Sequence, residues 1–324
     1  MNKKVSILTP VYNGENYVER FLKSVVSQTY KNIQLIIIDD GSKDGTRKII
    51  EKYVEMKHEG LEIKYIYQEN AGQAAAIGNG IKYVKGEYLA WADSDDYYTD
   101  DAISKMVDFL EKNKEFAIVR CNAIGRAEND LNTVVQKMFL PKEFQNKTDV
   151  FEDCILINGI NSFIGIYMMR FEKYKENNTN LYIYPGREGQ NWQLLLPILY
   201  KNKCGFLDEI VYNYVVRDNS HSHAKRTLEQ LIKRIEGYKK TLFETLKILN
   251  IEERYHNELV SKIEEKYNIE MFYIYARAFE KNNVKEKYSN IKRKSFRIKL
   301  FYSIGTIKFI NKLYSFYVGL KSKE

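Results

Sequence analysis

The chain has 324 residues, which is enough for one large domain and a smaller appendage. Its apolar content of 44% and its 4 prolines exclude a disordered chain. The net charge of +8 is unevenly placed, because residues 281–324 hold 12 basic and 2 acidic residues and leave residues 1–280 near −2. An enzyme acting on nucleic acid would carry its positive charge around the site, so we expect no nucleic-acid partner.

The cysteines and the first residues predict a compartment. Cys121, Cys154 and Cys204 are far apart and have no metal-binding spacing, which favours a reducing environment over a disulfide framework. The sequence enters a strand-like pattern at Val5 without a signal peptide, and no run of about 18 apolar residues predicts a membrane span. We therefore expect a cytoplasmic protein, either free or peripheral on the inner face of the plasma membrane.

The first 112 residues alternate between strand-like and helix-like segments. Apolar runs predict strands at residues 5–10, 33–38, 63–67 and 88–92, and helical spacing predicts helices at 17–27, 46–56, 72–84 and 102–110. This order predicts an α/β fold with a mostly parallel sheet and helices on both faces. Ligands of such sheets lie at the carboxyl ends of the strands. Polar residues follow four of those ends, at Thr9-Pro10, Asp39-Asp40, Gln68–Asn70 and Asp93–Asp95.

The segment YLAWADSDD contains the acidic residues of the predicted site. Asp93 and Asp95 are two residues apart just past a strand, so both side chains point the same way. Two carboxylates that close repel unless a cation lies between them, and oxygen ligands suit Mg²⁺ or Mn²⁺. The alternative is a polar turn in which Thr99 or Asp100 caps the next helix.

Other ligand-binding motifs do not fit the sequence. The residues from Asp40 to Glu51 have the spacing of a calcium-binding loop, but such a loop follows a helix and this segment follows a strand. The residues after the first strand, TPVYNG, lack the glycine pattern of a dinucleotide site, and no P-loop is present.

Several long motifs in one order resemble the inverting glycosyltransferases of family 2. They are ILTPVYNGENYVERFLKSVVSQTY, LIIIDDGSKDGT and NAGQAAAIGNGIKYVKGEYLAWADSDD. The resemblance is strong over residues 4–112, loose over 113–223 and absent beyond. It implies the GT-A fold, with a Rossmann-like, mostly parallel sheet followed by a helical C-terminal region. The implied domains are residues 1–223, with a nucleotide-sugar half at 1–112 and an acceptor half at 113–223, and residues 224–324.

The resemblance also implies which residues bind the donor. The segment Thr9, Pro10, Val11 and Tyr12 and the carboxylate of Asp40 would hold the nucleobase and ribose of a nucleotide sugar, usually UDP. Asp93 would lie near the ribose and the metal, and Asp95 would bind Mn²⁺ or Mg²⁺. The remaining donor-binding residues of these motifs are Asn70, Gln73 and Ser94.

Two features of these motifs leave alternatives open. Asp40 precedes a glycine, so it could simply form a turn. Many relatives carry an arginine where this chain has Ile77, and that arginine helps to hold the nucleotide. It is therefore open which residue balances the negative charge of the diphosphate near position 77.

The second half is expected to complete the sheet and to build the acceptor side. We predict strands at residues 117–124 and 134–139, a short helix at 149–157 and a helix from Glu188 to about residue 201. Relatives commonly carry Glu-Asp-x-x-aromatic at this last helix, with the Asp as general base. Here the Asp is Gly189, so Glu188 is the best remaining base, followed by Asp208 and Asp218. Glu188 could instead favour the positive end of the helix, and Trp192 could face a sugar or the core.

A polar segment follows the predicted strand at residues 210–217. In relatives an Arg and a Ser- or His-bearing loop close over the diphosphate, and Arg217 and Ser222 match that pattern. His221 would contact a phosphate or the metal. Histidines are often structural, and this reading stays open for His221 and His223.

The C-terminal region lies outside the resemblance. Residues 227–249 and 252–280 predict two long amphipathic helices, which could pack on the body or pair between subunits as a homo-oligomer. Residues 295–320 predict a basic amphipathic helix that suits an anionic membrane surface. The alternative is an ordinary dimer or core helix whose lysines face water.

The resemblance implies transfer of a sugar from a UDP-sugar to a hydroxyl group of a saccharide or lipid-linked saccharide, with inversion. The implied setting is bacterial capsule, exopolysaccharide, teichoic acid or O-antigen synthesis. A nucleotidyltransferase with the same aspartates is one alternative, although it leaves the Glu188 and Arg217 segments unexplained. A non-catalytic nucleotide-sugar or saccharide-binding relative is the other, because the expected Asp is Gly189.

Overall fold

A computed structural model describes residues 2–160, 164–217 and 226–321. The candidate residues Asp218, His221, Ser222 and His223 lie outside these described ranges. The chain divides into two compact units, one made of residues 1–223 with 244–250 and the other of residues 224–243 with 251–324. Cys121, Cys154 and Cys204 are buried free thiols of the first unit.

Strands and helices alternate through the first unit and helices make up the second. The strands are β1 Val5–Val11, β2 Ile33–Asp39, β3 Leu61–Tyr67, β4 Tyr88–Trp91, β5 Tyr97–Tyr98, β6 Phe116–Ala127, β7 Asp130–Met138, β8 Tyr167–Arg170 and β9 Lys203–Val216. The helices are α1 Val18–Val26, α2 Thr46–Glu55, α3 Gln73–Gly80, α4 Ala102–Lys112, α5 Lys142–Gln145, α6 Phe151–Leu156, α7 Phe171–Asn177, α8 Gln190–Leu199, α9 Leu228–Lys247, α10 Glu253–Ala278, α11 Lys281–Ser289, α12 Phe296–Thr306 and α13 Lys308–Lys321.

The strands of the described residues form one mixed sheet in the order β3-β2-β1-β4-β8-β6-β9-β5, with β7 paired to β6. The strands β3, β2, β1 and β4 are parallel, as the alternating pattern predicts. β8 runs antiparallel to both β4 and β6, while β6 and β9 are parallel. The expected α/β sheet is therefore confirmed, and it is parallel through the first half of the chain and mixed through the second.

Burial explains the strength of the sequence pattern in the first half. Every residue of β1 and β2 is buried, and such runs are typical of parallel strands covered on both faces. The buried polar residues of β2 are Gln34 and Asp39. The side chain of Gln34 accepts from the hydroxyl of Ser6 at 2.6 Å and donates to the carbonyl of Tyr83 at 3.1 Å. The helix α1 buries Phe21 and Leu22, whereas α3 packs on β1 and β2.

Three expected elements differ from the structure. The helix predicted at residues 72–84 is α3 followed by the 3₁₀ turn Ile81–Tyr83. α4 begins after Asp101, and neither Thr99 nor Asp100 is its N-cap residue. The helix predicted at residues 295–320 is two helices, because Ile307 is extended (φ −111°, ψ 108°) between α12 and α13.

The second unit packs α10, α11 and α12 around an apolar core. The buried members of this core are Phe272, Ala276, Val284, Ile291, Ile298, Phe301 and Ile304. The hydroxyl of Ser295 accepts a hydrogen bond from the amide of Ile298 and caps α12. No helix within the described residues is both long enough and apolar enough to cross a membrane.

Candidate functional site

Three carboxylates meet just past the end of β4. Oxygens of Asp93, Asp95 and Asp96 lie within 4.8 Å of one another. Asp96 is buried and accepts the amide of Val215 at 2.8 Å, which ties the loop to β9. Burial also raises the pKa of Asp96 well above its ordinary value. Asp93 and Asp95 are partly exposed, so they are the two carboxylates available to a ligand.

A chain of amide side chains reaches Asp93 from the acceptor-side half. Gln73, the first residue of α3, donates from Nε2 to Oδ1 of Asp93 at 2.9 Å. Gln190, the first residue of α8, donates to Oε1 of Gln73 at 2.7 Å. Removal from water raises the pKa of Asp93 to about 6, although the hydrogen bond from Gln73 and the charge of Arg217 act against this. The sequence motif identified Gln73 but gave no sign of its link to Gln190.

Two guanidinium groups converge on Asp95. Arg217, which follows β9, donates from Nη2 to Oδ2 of Asp95 in an ion pair, and its guanidinium lies 4.7 Å from the ring centre of Tyr17. Arg20 donates to the backbone carbonyl of Asp95 at 2.6 Å. The carboxylate of Asp95 therefore has the guanidinium of Arg217 as its positive partner. Sequence reasoning missed Arg20 and Tyr17, which lie about 75 residues or more from Asp95 along the chain.

The carboxylate of Asp40 organises the neighbouring loop. It is only 3% exposed and accepts hydrogen bonds from the side chain of Gln68 and the amides of Ala71 and Gly72, each at 2.8 Å. The side chain of Asn70 donates to the carbonyl of Asp40 at 2.9 Å. Asp40 therefore does more than form the turn before a glycine, and its contact with a nucleobase remains a prediction.

One residue of the expected nucleobase segment is exposed, and it follows β1. The side chains of Thr9, Pro10 and Val11 are buried in β1, whereas Tyr12 is 46% exposed. Side-chain contact between a nucleotide and the three buried residues does not fit this structure, which leaves the ring of Tyr12 and the backbone of the segment. Ser94 is also buried, between the two accessible aspartates.

A cation that sequence reasoning missed lies beside the Asp40 loop. Ile77 is buried in the core, so this position makes no contact with a ligand. The side chain of Arg187 is exposed, and its Cγ lies 4.0 Å from the position that a Cβ on Gly72 would take. The side chain of Arg187 therefore lies next to Gly72, whose amide binds the carboxylate of Asp40.

The expected base lies outside the helix to which it was assigned. α8 begins at Gln190, and Gly189 before it is left-handed (φ 70°). Glu188 is partly exposed and precedes this turn. Glycine adopts this left-handed conformation without the cost of about 1–2 kcal/mol that most other residues would bear.

Trp192 and Asp208, the other candidate residues of the second half, both form hydrogen bonds within the protein. Trp192 is buried and donates from Nε1 to the carbonyl of Cys154 at 2.9 Å, so it belongs to the core and offers no face to a sugar. Asp208 is exposed on β9 and accepts from the side chain of Asn122 at 2.6 Å.

Comparison with known proteins gives a family. The model for glycosyl transferase family 2 matches residues 6–177. The chain is 29% identical over 231 residues to the glycosyltransferase GlyA of Streptococcus pneumoniae, covering 68% of this chain and 32% of GlyA. It is 38% identical over 106 residues to TuaG of Bacillus subtilis, a putative teichuronic acid biosynthesis glycosyltransferase, covering 33% of this chain and 41% of TuaG. The match thus spans about a third of GlyA and two fifths of TuaG.

Solved structures show the same fold at low identity. S. aureus TarS 1–349 in complex with UDP-GlcNAc has a TM-score of 0.62 and 16% identity over 93% of this chain and 87% of that one. The mannosyltransferase PcManGT of Pyrobaculum calidifontis, in complex with GDP-Man and Mn²⁺, has a TM-score of 0.56 and 15% identity over 90% and 75%. The fold is the GT-A fold with a helical C-terminal region, and the chain belongs to glycosyl transferase family 2.

Proposed function

We propose that this glycosyltransferase moves a sugar from a UDP-sugar to a hydroxyl group of a saccharide or lipid-linked saccharide, with inversion at the anomeric carbon. The observation that carries the proposal is the meeting of the Asp93 and Asp95 carboxylates at the carboxyl end of β4. The Asp40 loop and Arg217 supply the other parts that a nucleotide diphosphate requires, namely hydrogen-bonding groups and positive charge.

Asp93 and Asp95 fit a divalent metal ion. Carboxylate oxygens are the ligands that Mn²⁺ and Mg²⁺ prefer, and these ions usually complete their shell with water and substrate phosphates. The carboxylate oxygens of Asp93, Asp95 and Asp96 lie within 4.8 Å of one another, close enough to share one ion, and an ion on Asp95 would replace the guanidinium of Arg217 as its positive partner. A bound divalent ion would neutralise the charge of the leaving diphosphate. The Mn²⁺ in the PcManGT complex supports a metal in a protein of this fold.

Side chains of the protein supply the other roles in the transfer. Arg217 and Arg187 stabilise the negative charge that develops on the departing nucleotide. Glu188 accepts the proton of the acceptor hydroxyl as that oxygen attacks the anomeric carbon. Tyr12 offers an exposed ring to the nucleobase, while Asp40 holds the loop beside it. Bond formation and departure of UDP occur in one displacement, so no covalent intermediate on the protein is needed.

The compared proteins support the substrate classes. TarS binds UDP-GlcNAc, and TuaG is named for teichuronic acid biosynthesis. We therefore propose a UDP-sugar donor and an acceptor in bacterial surface-polysaccharide synthesis. Membership in glycosyl transferase family 2 argues against a nucleotidyltransferase. A non-catalytic relative would bind the UDP-sugar without releasing UDP.

The test is release of UDP from a panel of UDP-sugars, measured with saccharide acceptors in Mn²⁺ and in chelator. We expect release with one donor in Mn²⁺ and loss of release in chelator and in Asp95→Asn. Asp100→Asn is the matched control, because Asp100 is an exposed carboxylate five residues further along the chain that hydrogen-bonds Ser27. Binding of UDP-sugar without release under every condition would indicate the non-catalytic relative.

A further inference from the structure

The helix α12 has two apolar sides, and only one of them is packed. Ile298, Phe301 and Ile304 lie in the core of the second unit. Phe296 is 83% exposed, and Leu300, four residues along, is exposed with it. Positions four residues apart lie on one side of a helix, so α12 presents an apolar stripe away from its own core.

The helix α13 repeats this arrangement. Phe309 is 70% exposed, and Leu313, four residues later, is exposed as well. Ile307, between the two helices, is also exposed. Exposed large apolar side chains are unremarkable singly, but five of them within 18 consecutive residues expose enough apolar surface for a partner to cover. We call the exposed side chains of Phe296, Leu300, Ile307, Phe309 and Leu313 the α12–α13 face.

The positive charge around the α12–α13 face indicates which kind of partner it binds. Residues 291–321 contain eight lysines and arginines and no aspartate or glutamate. Lys299, Lys308 and Lys312 are exposed beside the apolar residues. The partner must therefore be apolar and negatively charged in the same layer, which is the chemistry of an anionic bilayer surface.

We propose that the α12–α13 face docks on an anionic lipid bilayer, with its aromatic and aliphatic side chains in the headgroup layer and its lysines on the lipid phosphates. The helices lie on the surface, because α12 has 11 residues and α13 has 14, whereas a span needs about 20. A second copy of the chain suits this face poorly. A two-fold contact places the same patch opposite itself, so the positive charges would repel across it.

The test is co-sedimentation of the full chain with vesicles of phosphatidylcholine alone or mixed with phosphatidylglycerol. We expect binding to the mixed vesicles at low ionic strength and release at high salt, because salt screens charges at a surface. Phe296→Ser with Phe309→Ser should lower the partition coefficient at least about tenfold, because both rings are lost from the apolar layer. Lys308→Gln with Lys312→Gln should lower it about 25-fold, since each basic residue contributes about fivefold.

Val54→Ser with Met56→Ser is the matched control, because both side chains are exposed apolar groups in the first unit. That variant should bind as the unchanged chain does. Failure of the unchanged chain to bind mixed vesicles at low salt would overturn the proposal, as would equal binding by the phenylalanine variant. A dimer in sedimentation that dissociates in the phenylalanine variant, without vesicle binding, would assign the face to a second copy. The assay contains no donor, so its outcome is independent of the proposed sugar transfer.

Discussion

Arg217→Gln should have opposite effects on metal binding and on turnover. In the structure the guanidinium of Arg217 forms an ion pair with Asp95, the carboxylate that we propose as a metal ligand. The side chains of Arg217 and Asp95 are 21% and 26% exposed, so this ion pair is only partly screened by solvent. A metal ion that binds Asp95 has to displace the guanidinium, which makes Arg217 a competitor of the metal when no donor is bound.

The size of the competition follows from the contact. A hydrogen bond between charged groups contributes about 1.5–3 kcal/mol net, and partial exposure favours the lower end. About 1.5 kcal/mol corresponds to about tenfold in a binding constant. We therefore expect Arg217→Gln to bind Mn²⁺ about tenfold more tightly than the unchanged chain without nucleotide. Its turnover with donor should fall about 100-fold or more, because a group that stabilises developing charge is lost.

Isothermal titration calorimetry with Mn²⁺ measures the first effect, and release of UDP measures the second. Arg47→Gln is the matched control, because it removes the same charge from an exposed arginine that pairs with Glu51 at 2.7 Å on α2. Unchanged or weaker Mn²⁺ affinity in Arg217→Gln would refute the competition. Unchanged turnover would refute the role of Arg217 on the leaving group.

Three further predictions concern single residues. Glu188→Gln should bind UDP-sugar normally and lose about 100-fold in turnover, because the amide cannot accept the proton; unchanged turnover would assign the base elsewhere. Gly189→Ala should lower the free energy of unfolding by about 1 kcal/mol in denaturant titrations, because position 189 has φ 70°, and equal stability would contradict that conformation. The hydrogen bond from Lys114 is the largest of the effects that lower the pKa of Glu111 to about 2, from 4.5, so Glu111 stabilises the fold above pH 4.5 and loses this contribution as pH falls toward 2. The stability difference between the unchanged chain and Glu111→Gln should therefore shrink over that range, and a constant difference would exclude the effect.

The sequence predicted most directly the two strands whose burial is continuous. The strands β1 and β2 are buried at every residue, so their apolar runs identify them without any tertiary information. The strand β5 has only two residues, which is too short for a pattern to emerge, and β8 was not predicted either. The break at Ile307 was missed because helical spacing continues across it.

In the site, too, contacts between residues close in sequence were predicted and contacts between distant residues were not. The spacing of Asp93 and Asp95 predicted their convergence, since both follow one strand. The partners of Asp40 lie about 30 residues away along the chain, so only the folded loop brings the amides of Ala71 and Gly72 to it. Arg187 is more distant still, and no local pattern could place it beside Gly72.

The anomeric configuration of the product tests the central claim most directly. With the donor that the UDP-sugar panel identifies, proton magnetic resonance would follow the transferred sugar from UDP to the acceptor. A single displacement assisted by Glu188 predicts a glycoside whose anomeric configuration is opposite to that of the sugar in the donor. A glycoside with the configuration of the donor, or no glycoside with any donor and acceptor, would contradict transfer with inversion.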